Sequence, residues 1–152
     1  DKIASVITAK GGEFAHGFTY SGHPIACAAA MATLDIIQSE NIFDRVRDHA
    51  APYMQKRWAE LGEHPIVGHT RGLGMFGSME LVRNKETHER LAPDQISGGI
   101  CRDLAIENGL VMRAVGDSMI ISPPLICTDA EIDTLIERAT KALDLTAERF
   151  SV

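Results

Sequence analysis

The stretch Phe18-Thr19-Tyr20-Ser21-Gly22-His23-Pro24 is where residue types and spacing in this chain come nearest to a chemical site. Two hydroxyl side chains, Thr19 and Ser21, stand just ahead of Pro24 and an alanine-rich run, where a helix is expected to begin. A helix N-terminus leaves backbone N–H groups unpaired and carries a partial positive charge, so it stabilises either a capping side chain or a bound anion. On these residues alone, capping by Ser21 is the favoured reading, because no GxxxxGK[ST] or GxGxxG pattern follows to indicate a phosphate.

Arg113 is the second candidate, a lone cation between Met112 and Ala114 in an apolar segment. Its planar fork matches a carboxylate. Spacing alone favours a structural role, either an ion pair with Asp117 or an edge-strand arginine reaching water. Arg71, Glu80 and Arg83 read as solvated or paired strand charges, with Arg71 also placed to brace the glycine turn that follows it. His16, His23, His49, His64, His69 and His88 never fall in HxH or HxxxH spacing, and Glu13-x-x-His16 is a single weak pair. No metal site is expected from that pattern. Ser21 with His23 lacks a Gly-x-Ser-x-Gly elbow and an acid partner, so nucleophilic hydrolysis has no support.

These residues must be positioned by elements that the periodicity outlines. Residues 2–9 read as a short helix stopped by Gly11-Gly12, and Pro24 to Ser39 as a longer one with Ile25, Ala29, Ala32 and Ile36 recurring at helical spacing. A further helix carries Phe43, Val46, Ala50, Met54, Trp58 and Leu61 on one stripe, bent or restarted at Pro52. "IVGHTRG" and "MFGSMELV" alternate as an antiparallel strand pair around Gly72-Leu73-Gly74. Pro93-Asp94 is expected to open a helix that ends near Asn108 with Gly109 as its left-handed stop, and "LVMRAVGDSMIIS" to form a hairpin turning at Gly116-Asp117. Thr128 and Glu131 make a capping box for a last helix whose buried face is Ile132, Leu135, Ile136, Ala139 and Leu143. Helices and strands in runs rather than strict alternation give an α+β class, a small mostly antiparallel sheet with helices on one face.

At 152 residues with 45% hydrophobic side chains the chain can bury one substantial core. A formal charge of -6 without a basic cluster argues against a nucleic-acid partner. Cys27, Cys101 and Cys127 are odd in number and lack CxxC spacing, which suits a reducing cytoplasm better than a disulfide framework. The longest apolar stretch is too short to span a bilayer, so no membrane association is expected.

"HGFTYSGHPIACAAA", "RGLGMFGSMEL" and "GLVMRAVGDSMIISPPL" together resemble the C-terminal part of class III pyridoxal-phosphate-dependent aminotransferases, of the ω-amino acid or amine:pyruvate type. The likeness runs in order through essentially the whole chain. It implies a fold type I small domain preceded by a long linking helix: residues 1–23 as the tail end of the large cofactor-binding domain, 24–40 as the link and 41–152 as the small domain. It implies that Thr19, with Phe18 beside it, reaches the phosphate of pyridoxal phosphate bound by a neighbouring subunit in a homodimer or higher homo-oligomer. It also implies that Arg113 pairs with the carboxylate of pyruvate or an amino acid. Both implications reverse the preference drawn from spacing. The family's Schiff-base lysine, its pyridine-nitrogen aspartate and its ring-stacking aromatic lie upstream of the Phe-Thr pair, where this chain has only Lys2 and Lys10, neither in the family's lysine context. The chain is therefore expected to be a piece of a longer enzyme that moves an amino group from an amine to a keto acid, and to be inactive alone. A diamine or β-amino acid transaminase, or a non-catalytic dimerisation module, are the alternatives.

Overall fold

Local sequence explains most of the elements in the computed structural model, which describes residues 2–11, 17–93 and 96–152. The chain divides into two compact units, residues 1–40 and 41–152. The first holds α1 (Lys2–Lys10) and α2 (Pro24–Ser39). Gly11 closes α1 by donating to the Ile7 carbonyl. Pro24 occupies the first turn of α2, where its missing N–H costs nothing. Ser21 does not cap this helix, contrary to the expectation. His23 takes the cap position without a side-chain bond, and the Ser21 hydroxyl instead accepts from the Phe18 N–H at 2.9 Å. Gly22, at φ +75°, turns the chain between Ser21 and the helix, and no L side chain adopts that conformation cheaply.

The second unit opens with α3 (Ile42–Arg45), a π turn (Val46–Ala50), α4 (Ala51–Glu60) and a 3-10 turn (Leu61–Glu63). The π turn is the local answer to Pro52, whose ring would otherwise press on the carbonyl four residues back. Widening the preceding turn, with Ala51 donating to Val46 five residues behind, gives the ring room without breaking the helix.

The sheet follows: β1 (Val67–Leu73), β2 (Phe76–Asn84), β3 (Glu89–Arg90), β4 (Arg113–Val115) and β5 (Ser118–Ile121). All pairings are antiparallel, in the order β1-β2-β5-β4, with β3 added to the far end of β2. Between β3 and β4 lies α5 (Ser97–Glu107), and α6 (Asp129–Phe150) closes the chain. The Gly109 stop is present at φ +79°. The start of α5 differs from expectation: Asp94 lies outside the described residues, and the helix begins at Ser97 with no side-chain cap from its own N-terminal neighbour. The α6 capping box is complete, Thr128 donating its N–H to Glu131 at 2.8 Å and accepting from the Glu131 N–H at 3.3 Å.

One core holds this unit together. Trp58 and Met54 of α4, Cys101 and Ala105 of α5, and Ile132, Ile136, Ala139 and Leu143 of α6 pack with Met79, Leu81, Met119 and Ile121 of the sheet. Burying the larger aliphatic side chains among them (Ile, Leu, Met) stabilises by about 1.5–3 kcal/mol each. The indole of Trp58 lies on Gly77, where an added Cβ would come within 2.7 Å of the ring, and its N–H donates to the Ser78 carbonyl at 3.1 Å. Thr70, Met79, Met119 and Ala114 form one cross-strand row by register, and the burial of Met79 and Met119 marks it as the core-facing row. Side chains alternate along a strand, so the next row faces away from the helices.

Candidate functional site

Two sets of residues drawn from the sequence fall in different units, and each is described within its own. Phe18 to Gly22 form a tight turn ahead of α2. Ser21 donates its N–H to the Phe18 carbonyl at 2.9 Å, and His23 donates to the Tyr20 carbonyl at 3.2 Å. Ser21 is thus consumed in holding the turn, whereas the exposed Thr19 makes no hydrogen bond among the described residues. Phe18 and Tyr20 are exposed beside it. A hydroxyl donor and an unengaged backbone N–H at one residue, in a turn held by its neighbours, make a donor set that suits an anion such as a phosphate.

In the second unit Arg113 is the first residue of β4, an edge strand, opposite Ile120 of β5. It belongs to the row facing away from the helices, which runs Arg71, Ser78, Ile120, Arg113 across the four strands. Arg113 is exposed and has no hydrogen bond or ion pair among the described residues. Of the two structural roles that spacing favoured, the ion pair with Asp117 is absent, and the edge-strand arginine reaching water is what the structure shows. Asp117 faces α5 instead: its Oδ1 accepts from the Ser97 N–H at 2.9 Å and the Ser97 hydroxyl at 2.7 Å, and its Oδ2 accepts from Arg90 Nε at 2.8 Å. Burial pushes the Asp117 carboxyl up, but the Ser97 hydroxyl, the Arg90 guanidinium and the Ser97 amide together outweigh burial and hold it below the usual carboxylate range.

Arg71 shares the outward row with Arg113 and likewise has no partner among the described residues. Sequence reading placed it at a glycine turn and missed the alignment, which becomes visible only when β1, β2, β5 and β4 are set side by side. His49, His64 and His88 pair individually with Asp129, Asp144 and Glu80. The Glu13 and His16 pair lies outside the described residues. Among those described, no group of three or more His, Cys, Asp or Glu comes together to hold a metal. The three cysteines are free, and burial raises the Cys101 thiol above its ordinary range. A cleft of about 600 Å³ between α4 and α6 is lined by Arg57, Leu61, Glu63, His64, Ile136 and Glu137 among others, and none of Arg113, Asp117 or Arg71 borders it. No helix among the described residues is long and apolar enough to cross a membrane.

An exposed arginine, unpartnered among the described residues, stands on a small antiparallel sheet that other proteins share. Residues 1–143 match the family profile described as Aminotransferase class-III. The chain belongs to the class III aminotransferase family. It is similar to the putrescine–pyruvate aminotransferase of Pseudomonas aeruginosa, with 53% identity over 147 residues, 97% of this chain and 32% of that protein. It is also similar to the mitochondrial gamma aminobutyrate transaminase 1 of Solanum lycopersicum, with 37% identity over 91% of this chain and 27% of that protein. Among solved structures, a PLP-bound aminotransferase mutant from Vibrio fluvialis superposes with a TM-score of 0.84 at 30% identity, over 98% of this chain and 32% of that one. The chain thus spans about a third of the length of these relatives. The α+β architecture is that of a fold type I transaminase domain.

Proposed function

We propose that these 152 residues are the C-terminal portion of a longer enzyme that transfers an amino group from an amine or ω-amino acid to pyruvate, with residues 1–23 ending the large domain, 24–40 linking and 41–152 forming the small domain. The observation that carries this reading is the combination of the family match over residues 1–143 with an arginine, Arg113, left exposed and unpaired on β4. Pyridoxal phosphate, when bound, supplies the electron sink and the temporary carrier for the amino group. This chain's part is to hold and orient. The Thr19 hydroxyl and N–H would receive the cofactor phosphate, across a subunit boundary in a homodimer or larger homo-oligomer. Arg113 would take the carboxylate of pyruvate in a bidentate pair, which sets the angle at which the neighbouring carbonyl carbon is presented. The lysine that binds the cofactor covalently comes from polypeptide outside these residues, so the chain alone is inactive. Three free thiols suit a reducing cytoplasm.

The reading is tested by Arg113→Ala in a full-length enzyme carrying this segment. Loss of a charge-assisted pair of about 1.5–3 kcal/mol should cut kcat/KM for pyruvate roughly 10- to 100-fold while leaving a simple amine donor nearly unchanged. Equal losses with both substrates would return Arg113 to a structural role. A diamine donor is the second reading, favoured by the 53% identity to the putrescine–pyruvate enzyme. Activity with putrescine well above that with a β-amino acid would select it.

A further inference from the structure

We infer that Asp117 is a positioning residue for Arg113, its carboxylate tying the β4–β5 turn to the first turn of α5 and thereby fixing where β4 presents the guanidinium. The inference rests on the carboxylate-binding reading of Arg113.

The contacts on Asp117 come from three directions. Its backbone carbonyl accepts from the Leu81 N–H of β2 at 2.9 Å. Its Oδ1 takes the Ser97 N–H and hydroxyl of α5, and its Oδ2 takes Arg90 of β3, at 2.7 to 2.9 Å. The side chain is only 14% exposed, so these bonds are poorly replaced by water. Behind the turn, Gly98 of α5 approaches so closely that a Cβ there would lie 2.2 Å from the Gly116 carbonyl oxygen. The turn is therefore seated on α5 by backbone contact and locked there by a carboxylate that caps the helix from a distant part of the chain.

β4 is held besides by the buried Met112 that precedes it and by Ala114, which packs against the core beside Gly98 of α5. It is three residues long, it pairs only with β5, and Arg113 is its first residue. Arg113 has no partner of its own among the described residues, so the region its guanidinium can reach is centred on the Cα position that short strand sets. Met112 anchors the strand on its N-terminal side, so the seat of the Gly116-Asp117 turn on α5 is what fixes its C-terminal side, and a loosened turn lets β4 pivot about Met112. Bidentate recognition of a carboxylate is sensitive to shifts of about 1 Å, so a loosened turn weakens carboxylate binding before it affects anything else.

The test uses a full-length enzyme containing this segment and compares two acceptors in one half-reaction, pyruvate and a simple aldehyde that has no carboxylate. Asp117→Ala is expected to raise KM for pyruvate about tenfold with kcat nearly unchanged, and to shift the aldehyde's KM by less than about twofold. Asp117→Asn, which keeps one acceptor for Ser97, should recover most of the loss, and Ser97→Ala should reproduce the same pattern at smaller size even where Asp117→Ala does not fold. In an Arg113→Ala background, Asp117→Ala should cost pyruvate nothing further, because the two act through one contact. Equal losses for both acceptors, or full additivity with Arg113→Ala, overturn the inference while leaving the role of Arg113 standing. Should Arg113→Ala alone fail to separate pyruvate from the aldehyde, the carboxylate reading is what has failed, and the inference goes with it.

Discussion

Thr19 and Arg113 share one property, a donor at the surface without a partner among the described residues, and that property cannot be read from spacing. A threonine or serine before a helix is usually a cap, and here two such hydroxyls stand two residues apart. The fold separates them: Ser21 closes the turn, and Thr19 makes no hydrogen bond among the described residues. The same holds for Asp117, which spacing offered to Arg113 and which the fold gives to Ser97 and Arg90. Its lowered folded-state pKa fixes the sign of a pH effect. A carboxyl whose pKa is depressed by folding adds stability above its unfolded value, about 3.9, and loses it as pH falls through the lower folded value. Asp117→Asn should therefore be less stable than the parent near neutral pH, with the gap closing below about pH 4 as the parent's own carboxylate is protonated. Thermal melts of both proteins across that range would reveal it, and a gap independent of pH would contradict it.

At the scale of elements, what sequence reveals depends on whether the signal is local. The capping box of α6 is four consecutive residues, and it is legible because every partner lies within one turn. Thr128→Ala should cost about 1 kcal/mol in a urea unfolding experiment, and Glu131→Ala a comparable amount, since each removes one half of a reciprocal pair. The bend at Pro52 was legible as an event and not as a form, because the ring's conflict is local but a π turn is only one of several ways to relieve it. The start of α5 was placed too early for the opposite reason. Its cap is Asp117, 20 residues downstream, and nothing near Ser97 announces it. β3 escaped notice because two residues are too few to show alternation, and they form a strand only where β2 offers an edge.

The α+β class was legible because α4 and α6 carry one-sided apolar patterns, and one-sided patterns require a shared core. How closely its layers approach was not legible. Trp58 rests on Gly77 with no space for a methyl group, so Gly77→Ala should destabilise by roughly 1–3 kcal/mol despite its small size, and a rise in the urea midpoint would refute this packing. β4 ends the sheet with one side of its backbone unpaired among the described residues, and such an edge is a template on which another chain can add a strand. Its short length and the charge of Arg113 are the two features that discourage such growth. An apolar replacement of Arg113 would therefore weaken a guard against self-association. Such variants should scatter more light as concentration rises, and scattering equal to the parent's would show that the charge is no guard.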